Sequence, residues 1–356
     1  MSGLEPRLRS TIAGHVPGVA VAVVDADGVR ESAAVGMADL AEGRPASRDM
    51  VCPWFSMTKI ATATAAMQLA ERGVLDMDAP VAPLVPEMRH LRPAPDAGRI
   101  TTRHLLSHSA GLANPIPVSW IHRPSERAPD PAAFLDGLLS KHGKLRFAPG
   151  ATSRYSNLGV LIAGAAMAQA ADEPFADVVG RGILEPLGMG STAFTYSPDM
   201  QARAATGYHP RWSPMRYLLK RWVIARPAGR WIALNPFLLD GQAYGGLLGP
   251  VTDASRFLRM HLRDGELDGV RVLEPSSVRE MRDIRVLGRH IDVGLGWFRP
   301  SSAREAAVPF VQHLGGGAGF YNVLRIYPTR GVGIVVMGNA TKYDIDAVVA
   351  AVLGDP

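Results

Sequence analysis

The sequence predicts a mixed α/β (α+β) fold, in which strands from both ends of the chain form one sheet and helices lie between them. Residues 19–24 are a run of Val and Ala, and the turn residues 25–28 allow residues 29–36 to return as a partner strand. Residues 320–327 and 332–337 have the same character and flank a turn at 328–331. Between these hairpins, residues 56–72 and 158–171 are rich in small and helix-favouring residues.

The remaining elements are shorter or irregular. Residues 101–108 predict a helix with Thr101 or Thr102 as its N-cap, and residues 344–353 predict a closing helix. Residues 77–100 and 113–131 contain many prolines, so we expect irregular loops there. No internal repeat interrupts this pattern, which indicates one sheet with a helical insertion.

Composition excludes several classes of protein. The 356 residues are 47% hydrophobic and 20% charged, which is typical of a folded protein rather than a disordered one. A single cysteine permits neither an internal disulfide nor a Cys-rich zinc site. No apolar run approaches the length of a membrane span, and the first residues lack the apolar region of a signal peptide. We therefore expect a cytoplasmic protein.

The positive charge is concentrated in one segment. Residues 200–239 contain seven Arg or Lys and no Asp or Glu, whereas the whole chain carries a net charge of +5. Three of the six tryptophans, Trp212, Trp222 and Trp231, lie in the same segment. A nucleic-acid-binding protein usually spreads its basic residues across its fold, so we expect no nucleic-acid partner.

The first motif that could support catalysis is Ser56-Met57-Thr58-Lys59. Residues i and i+3 share a helix face, so the Ser56 hydroxyl and the Lys59 amine can meet there. A serine hydroxyl becomes a useful nucleophile when a neighbour takes its proton, and a lysine with a lowered pKa can do so. The structural alternative is a helix start with a capping serine and a solvated lysine.

Two more motifs follow along the chain. Tyr155 and Asn157 precede the predicted helix 158–171. A tyrosinate beside a lysine ammonium can act as a base. Asn157 can orient Lys59 or a carbonyl group of the substrate by hydrogen bonds. His313, Gly315 and Gly316 lead into a strand, where glycine backbone permits close approach to a ligand. The alternatives are a buried tyrosine with a turn asparagine, and a glycine-rich loop with a surface histidine.

The order and spacing of these motifs resemble the serine β-lactamase and penicillin-binding-protein superfamily. The resemblance is to the class C branch, which includes class C β-lactamases, family VIII carboxylesterases and D-stereospecific peptidases. It extends over roughly residues 15–350 except 205–240. Beyond the motifs, it rests on residues 16–24, 55–60, 100–112, 149–159, 245–246 and 293–297.

The resemblance implies an antiparallel sheet flanked by helices, plus a helical domain, with the site in the cleft between them. It implies that residues 1–80 and 240–356 form the sheet domain and residues 81–239 the helical one. Ser56 would form the acyl-enzyme, while Lys59 and Tyr155 would share proton transfer. Asn157 and His313 would bind substrate, and the N–H groups of Ser56 and Gly316 would form the oxyanion hole beside Gly315. No metal or cofactor is implied.

The substrate expectation comes from a departure at the third motif. Many relatives that act on β-lactams have Lys where this chain has His313, and a neutral histidine attracts a substrate carboxylate less than lysine does. We therefore expect a small-molecule ester with an apolar acyl group. A β-lactamase, a D-amino-acid peptidase, a transacylase and a non-catalytic scaffold remain alternatives.

The segment 205–240 lies outside the resemblance. Its aromatic residues and arginines suit three roles: a lid that shapes an apolar acyl pocket, an interfacial membrane patch, or a packed surface insertion in which arginine stems cover tryptophan faces. Membrane contact is the less favoured of the functional roles.

Other candidate residues support little chemistry. His104 and His108 have i, i+4 spacing, but Leu105 stands where a zinc-binding His-Glu-x-x-His motif has Glu, so we expect no metal there. Cys52 is expected to be a small core residue and Asn114 to lie near the cleft. The chain lacks the Gly-x-Ser-x-Gly motif of α/β-hydrolases.

Overall fold

One large antiparallel sheet organises the fold, and the computed structural model describes residues 3–354. The strands are β1 (Gly18–Val24), β2 (Val29–Asp39), β3 (Arg44–Pro45), β4 (Cys52–Pro53), β5 (Ile121–His122), β6 (Gly207–Pro210), β7 (Ile224–Ala228), β8 (Trp231–Leu234), β9 (Leu238–Leu239), β10 (Leu248–Gly249), β11 (Glu266–Leu267), β12 (Val270–Arg271), β13 (Ile291–Val293), β14 (Phe298–Pro300), β15 (Val311–Gly317), β16 (Phe320–Tyr327) and β17 (Val332–Gly338). The α-helices are α1 (Leu4–Ile12), α2 (Thr58–Glu71), α3 (Ala94–Ala97), α4 (Thr102–Leu106), α5 (Pro131–His142), α6 (Asn157–Ala171), α7 (Phe175–Val179), α8 (Pro198–Ala202), α9 (Val251–Leu262), α10 (Pro275–Arg282) and α11 (Ile345–Leu353).

The main sheet joins the two ends of the chain. Its strand order is β13-β14-β15-β16-β17-β1-β2-β3. β1 lies between β17 and β2, so Val21 pairs with Val336 on one side and with Ala33 on the other. The prediction of one sheet built from both terminal hairpins is therefore confirmed. β2 continues to Asp39, beyond the predicted end at residue 36.

Helices cover both faces of this sheet. Successive residues of a strand point to opposite faces. Val21 packs in one cluster with Leu8 of α1 and Val349 of α11, whereas Ala22 belongs to the larger cluster that contains Phe257 of α9. All residues of β1 are buried, which explains why its sequence is continuously apolar instead of alternating.

α2 and α6 form the centre of the helical region. They pack against each other, while α4 and α5 pack on α6 and α2 also contacts β15 of the sheet. Both helices are buried around most of their circumference, as their Ala-rich sequences allow. The first residue of each helix therefore lies at the boundary between the helical region and the sheet.

The segment 205–240 contains strands that the sequence did not predict. β6, β8 and β7 form an antiparallel sheet in that order. The buried Asn339 ties this sheet to the main one: its side-chain amide donates to the carbonyl groups of Met37 and Thr206 and its side-chain oxygen accepts from Gly18 N–H. The segment is thus anchored to the sheet immediately after β17.

Three element predictions were wrong in detail. The proline-rich residues 77–100 contain a 3-10 turn at Pro86–His90 and the short helix α3. The predicted helix 56–72 begins as a 3-10 turn at Phe55–Met57, and α2 starts at Thr58. α4 has Thr101 as its N-cap, as predicted, but ends at Leu106. Within residues 3–354 no helix is both long and apolar enough to cross a bilayer.

Candidate active site

Ser56 lies in the 3-10 turn Phe55–Met57, directly before α2. The preceding residue, Phe55, has φ of 46°, a left-handed conformation that is rare for an aromatic residue. Such strain costs about 1–3 kcal/mol and persists only where the surrounding structure holds it in place. Ser56 is partly exposed and lines a cavity, so the strained turn presents this serine to incoming ligands.

Lys59 lies one helical turn further on and is 1% exposed. Its Nζ is 3.0 Å from Ser56 Oγ and donates a hydrogen bond of 2.5 Å to the carbonyl oxygen of Tyr244. Burial lowers the pKa of Lys59 well below its usual value, because desolvation disfavours the charged amine. Lys59 is therefore not the solvated lysine of the structural alternative, and a neutral amine there can accept the Ser56 proton.

Tyr155 reaches the same point from the loop before α6. Its ring centroid lies 5.0 Å from Lys59 Nζ, and the Ser56 side chain is close enough to act on the Tyr155 pKa. Burial raises the pKa of Tyr155, and the Ser56 side chain opposes this only in part. The phenol is therefore neutral near pH 7, which favours Lys59 over a tyrosinate as the group that takes the serine proton.

Two buried histidines hold the Tyr155 ring. The His108 ring centroid lies 4.4 Å from that of Tyr155, and the His313 centroid lies 5.9 Å away. Burial lowers the pKa of both histidines, that of His108 to about 3, so both are neutral. His313 is 1% exposed, and its Nδ1 donates to the carbonyl oxygen of Leu314. The surface position considered for His313 is wrong, and its ring lies behind Tyr155 instead of in the cavity lining.

Asn157 is the first residue of α6 and lines the cavity. Its backbone N–H donates to the side-chain oxygen of Asn114, 3.0 Å away, which places Asn114 at the edge of the site. The Asn157 side-chain oxygen is buried and has no hydrogen-bond partner within residues 3–354. The carbonyl of Tyr244, rather than Asn157, accepts a hydrogen bond from Lys59. The amide of Asn157 is thus available to a ligand.

The glycines of β15 serve different purposes. Gly316 lines the cavity together with Ser56, as the predicted oxyanion site requires. At Gly315 a Cβ atom would lie 2.1 Å from the carbonyl oxygen of Trp54, and at Gly317 it would lie 2.4 Å from the Phe55 ring. Gly315 therefore faces the backbone of the Ser56 turn rather than the cavity, and these glycines let β15 approach that turn.

The cavity above Ser56 has a volume of about 480 Å³ and a largely apolar lining. The segment 205–240 supplies part of its wall, as do the loop before β5 and the residues around β9. These apolar lining residues are Ile116, Val118, Ile121, Met215, Leu218, Leu219, Val223, Phe237 and Leu239. The cavity is large enough for an acyl chain of several carbons, and its mainly apolar lining suits such a chain.

A smaller part of the cavity lining is polar. His209, Thr341 and Lys342 line it, and His209 Nδ1 lies 2.9 Å from Thr341 Oγ1. His209 is 4% exposed, and its Nε2 has no hydrogen-bond partner in the described part of the chain. Among the lining residues that the structure describes, Lys342 is the one with a charged side chain.

His104 and His108 do not share a helix face. α4 ends at Leu106, and His108 follows it with φ of 54°. The Nδ1 atom of His104 accepts a hydrogen bond from the backbone N–H of Thr101, while His108 faces Tyr155. Cys52 is fully buried, as predicted for a core residue. The described residues contain no group of three or more His, Cys, Asp or Glu placed to hold a metal ion.

Sequence reasoning missed three contributors to the site. Tyr244 was passed over because it acts through its backbone carbonyl, which any residue type supplies. The sequence marks His108 only by its spacing from His104, where no metal is expected, and it gives no indication of the strained backbone at Phe55. Tyr244 directly precedes Gly245 and Gly246, which are part of the family resemblance. This proximity is the one indication of Tyr244 that the sequence offers.

Comparison with known proteins gives consistent relationships. A family model described as Beta-lactamase matches residues 5–353. Penicillin-binding protein 4 of Amycolatopsis lactamdurans is 28% identical over 339 residues, which cover 93% of this chain and 84% of that protein. Esterase EstB of Burkholderia gladioli is 32% identical over 203 residues, which cover 53% of this chain and 50% of that protein. The solved structure of EstCE1, described as a hydrolase with promiscuous acyltransferase activity, superposes with a TM-score of 0.74 at 24% identity, covering 98% of each chain.

Proposed function

The chain belongs to the Beta-lactamase family, a superfamily of serine hydrolases, and we propose that it cleaves carboxylic esters through a covalent acyl-enzyme on Ser56. One observation supports the proposal: Ser56 lines an apolar cavity, and the buried Lys59 amine lies 3.0 Å from its hydroxyl with the Tyr155 ring close by. An ester with an apolar acyl group matches that lining. The proposal keeps the expected cytoplasmic location.

Acylation begins with proton transfer from Ser56. Its Oγ attacks the ester carbonyl carbon while the hydroxyl proton passes to the neutral Lys59 amine, 3.0 Å away. The N–H groups of Ser56 and Gly316 stabilise the negative oxygen that forms. When the bond to the alcohol breaks, the Tyr155 hydroxyl gives its proton to the leaving oxygen and receives the proton held by Lys59.

Deacylation repeats the sequence with water. Lys59 takes a proton from a water molecule, whose oxygen attacks the acyl carbon, and Ser56 Oγ leaves with that proton. The carboxylic acid is released, and all three side chains return to their starting states. His108 and His313 contribute by holding the Tyr155 ring and by keeping its surroundings uncharged.

Two further facts support an ester as substrate. The neutral His313 offers no charge to attract a carboxylate, and it is buried away from the cavity lining. The relative EstB carries the name of an esterase. Rates on p-nitrophenyl butyrate test the proposal. We expect Ser56→Ala to lose several orders of magnitude in kcat/KM. Ser140→Ala, an exposed serine of α5, is the matched control and keeps the wild-type rate.

Lys342 favours a second candidate function, hydrolysis of a carboxylate-bearing substrate by a β-lactamase or D-amino-acid peptidase. Its ammonium lines the polar part of the cavity, where it could pair with a carboxylate. Lys342→Gln discriminates the two. If the natural substrate carries a carboxylate, this variant loses activity on a cephalosporin or a D-alanyl-D-alanine peptide and keeps its rate on p-nitrophenyl butyrate. If only the ester is hydrolysed by the wild-type chain, the second candidate is rejected.

Acyl transfer uses the same residues, and the description of EstCE1 names an acyltransferase activity for that protein. An apolar cavity that limits water favours an alcohol over water as the acceptor. The test adds a primary alcohol to the p-nitrophenyl butyrate assay. The ratio of new ester to free butyrate then measures acyl transfer relative to hydrolysis. A wild-type chain that is inactive with every ester and every acceptor would instead be a non-catalytic scaffold.

A further inference from the structure

Exposed apolar side chains gather around the mouth of the cavity. Trp212 and Tyr217 are 79% and 76% exposed, and Ile116 is 69% exposed. Met215 and Leu218, on the same 3-10 turn as Tyr217, are also about half exposed. We call Ile116, Trp212, Met215, Tyr217 and Leu218 the apolar rim. Elsewhere in the described chain, the large exposed apolar residues are Val29, Met37, Leu40, Val74, Val270 and Leu287, none of them aromatic.

The apolar rim is continuous with the interior of the cavity. Ile116, Met215 and Leu218 are exposed to solvent and also line the cavity that ends at Ser56. A monomeric protein rarely exposes a contiguous apolar surface of this kind unless something covers it. We therefore expect the rim to bind a partner whose surface is apolar where it contacts these side chains.

Arginines surround the apolar rim. The Arg211 guanidinium lies 5.2 Å from the centroid of the Trp212 ring, and the Arg216 guanidinium lies 4.7 Å from that of Tyr217. The surrounding residues 200–239 contain seven basic side chains and no acidic one. Aromatic rings with adjacent cations match the boundary of an anionic bilayer, where rings lie among headgroups and cations meet lipid phosphates.

We propose that the apolar rim docks on the surface of an anionic phospholipid bilayer. The charge of the segment selects this occupant over a second copy of the chain, because a symmetric dimer through this face would place the same basic segment against itself. The rim inserts Trp212, Met215 and Leu218 at the headgroup level, while the arginines remain in contact with phosphate. The cavity then opens towards the lipid, from which an apolar ester can enter without crossing water.

This docking does not depend on catalysis, so it is tested with the Ser56→Ala protein. Vesicles of phosphatidylglycerol and phosphatidylcholine are compared with vesicles of phosphatidylcholine alone by co-sedimentation. We expect binding to the anionic vesicles that weakens with added salt. Arg211→Gln/Arg216→Gln is expected to bind about 30-fold more weakly, since each cation near an anionic surface contributes about fivefold in affinity.

The control replaces two exposed arginines at the far end of the main sheet. Arg330 follows β16 at the end opposite Phe320, and Arg263 donates to Ala26 in the turn between β1 and β2. Arg263→Gln/Arg330→Gln removes the same charge from another surface and is expected to bind vesicles as the parent does. Equal weakening by both double variants would overturn the proposal, because it would indicate a non-specific effect of net charge.

Fluorescence locates the contact. Trp212 is exposed, Trp222 is half-buried, and Trp54, Trp120, Trp231 and Trp297 are buried. Lipids brominated in their acyl chains should quench the protein on binding, and Trp212→Phe should remove most of this quenching. Binding without quenching would overturn insertion of the rim. Absence of vesicle binding, with a concentration-dependent dimer that the Trp212→Phe variant weakens, would assign the rim to a second copy instead.

Discussion

Gly315→Ala tests how the sheet positions the nucleophile. A Cβ atom at residue 315 would lie 2.1 Å from the Trp54 carbonyl oxygen, against the 3.4 Å at which ordinary contact begins. That carbonyl accepts the backbone hydrogen bond of Met57 and so belongs to the turn that carries Ser56. Because the clash is with backbone and the region is closely packed, we expect the turn to move by about 1 Å. A displacement of that size costs about 100-fold in rate, or about 2.7 kcal/mol of transition-state stabilisation.

The assay is kcat/KM on p-nitrophenyl butyrate, with a thermal melt to confirm folding. Gly137→Ala is the control, because it lies in α5 with nothing within 4 Å of an added Cβ; it should keep its activity and melt at the same or a slightly higher temperature. A folded Gly315→Ala protein with wild-type kcat/KM would refute the reasoning that β15 sets the position of Ser56.

Three other changes have defined outcomes. Burial lowers the pKa of Lys59 in the folded protein, whereas its pKa in the unfolded chain is near 10.5. At a pH between these two pKa values, unfolding takes up a proton, so the free energy of unfolding rises with pH across this range. Lys59→Met should therefore raise Tm at pH 7, and the gain should vanish as pH approaches 10.5; a gain that is constant with pH would contradict the neutral amine. Asn339→Ala leaves buried backbone groups without partners and should lower the free energy of unfolding by about 2–4 kcal/mol in chemical denaturation; a loss below 0.5 kcal/mol would show that Asn339 does not tie the two sheets. Met215→Ser/Leu218→Ser should lower the octanoate-to-butyrate rate ratio several-fold, and an unchanged ratio would remove the segment from the acyl site.

The main features of the fold were accessible from the sequence because they depend on local patterns. The Val-rich runs and the intervening turn residues specify the two hairpins, and Asp25 caps the first turn by accepting hydrogen bonds from Asp27 and Gly28 N–H. The strands β6 to β8 were missed because their residues are interrupted by Pro, Arg and Trp. Their pairing depends on contacts such as Tyr208 N–H with the Asn339 carbonyl, far away in the chain.

The sequence predicts the candidate site only where side chains, rather than backbone groups, form it. Ser56, Lys59 and Tyr155 are recognisable because their chemistry and spacing are unusual, and the structure brings them together. The Tyr244 carbonyl that binds Lys59 is a backbone group, and backbone groups carry no sequence signal. The helix predicted over residues 101–108 placed His108 on one face with His104, whereas α4 ends at Leu106 and His108 lies against Tyr155.

The most direct test of the account is the mass of the protein during turnover. Wild-type chain mixed with p-nitrophenyl butyrate and quenched in acid should gain the mass of one butyryl group, and peptide analysis should place that group on Ser56. Ser56→Ala should gain no butyryl group under the same conditions, because it lacks the attacking hydroxyl. A butyryl group on another residue, or steady turnover with no acylated protein at any time, would contradict an acyl-enzyme on Ser56.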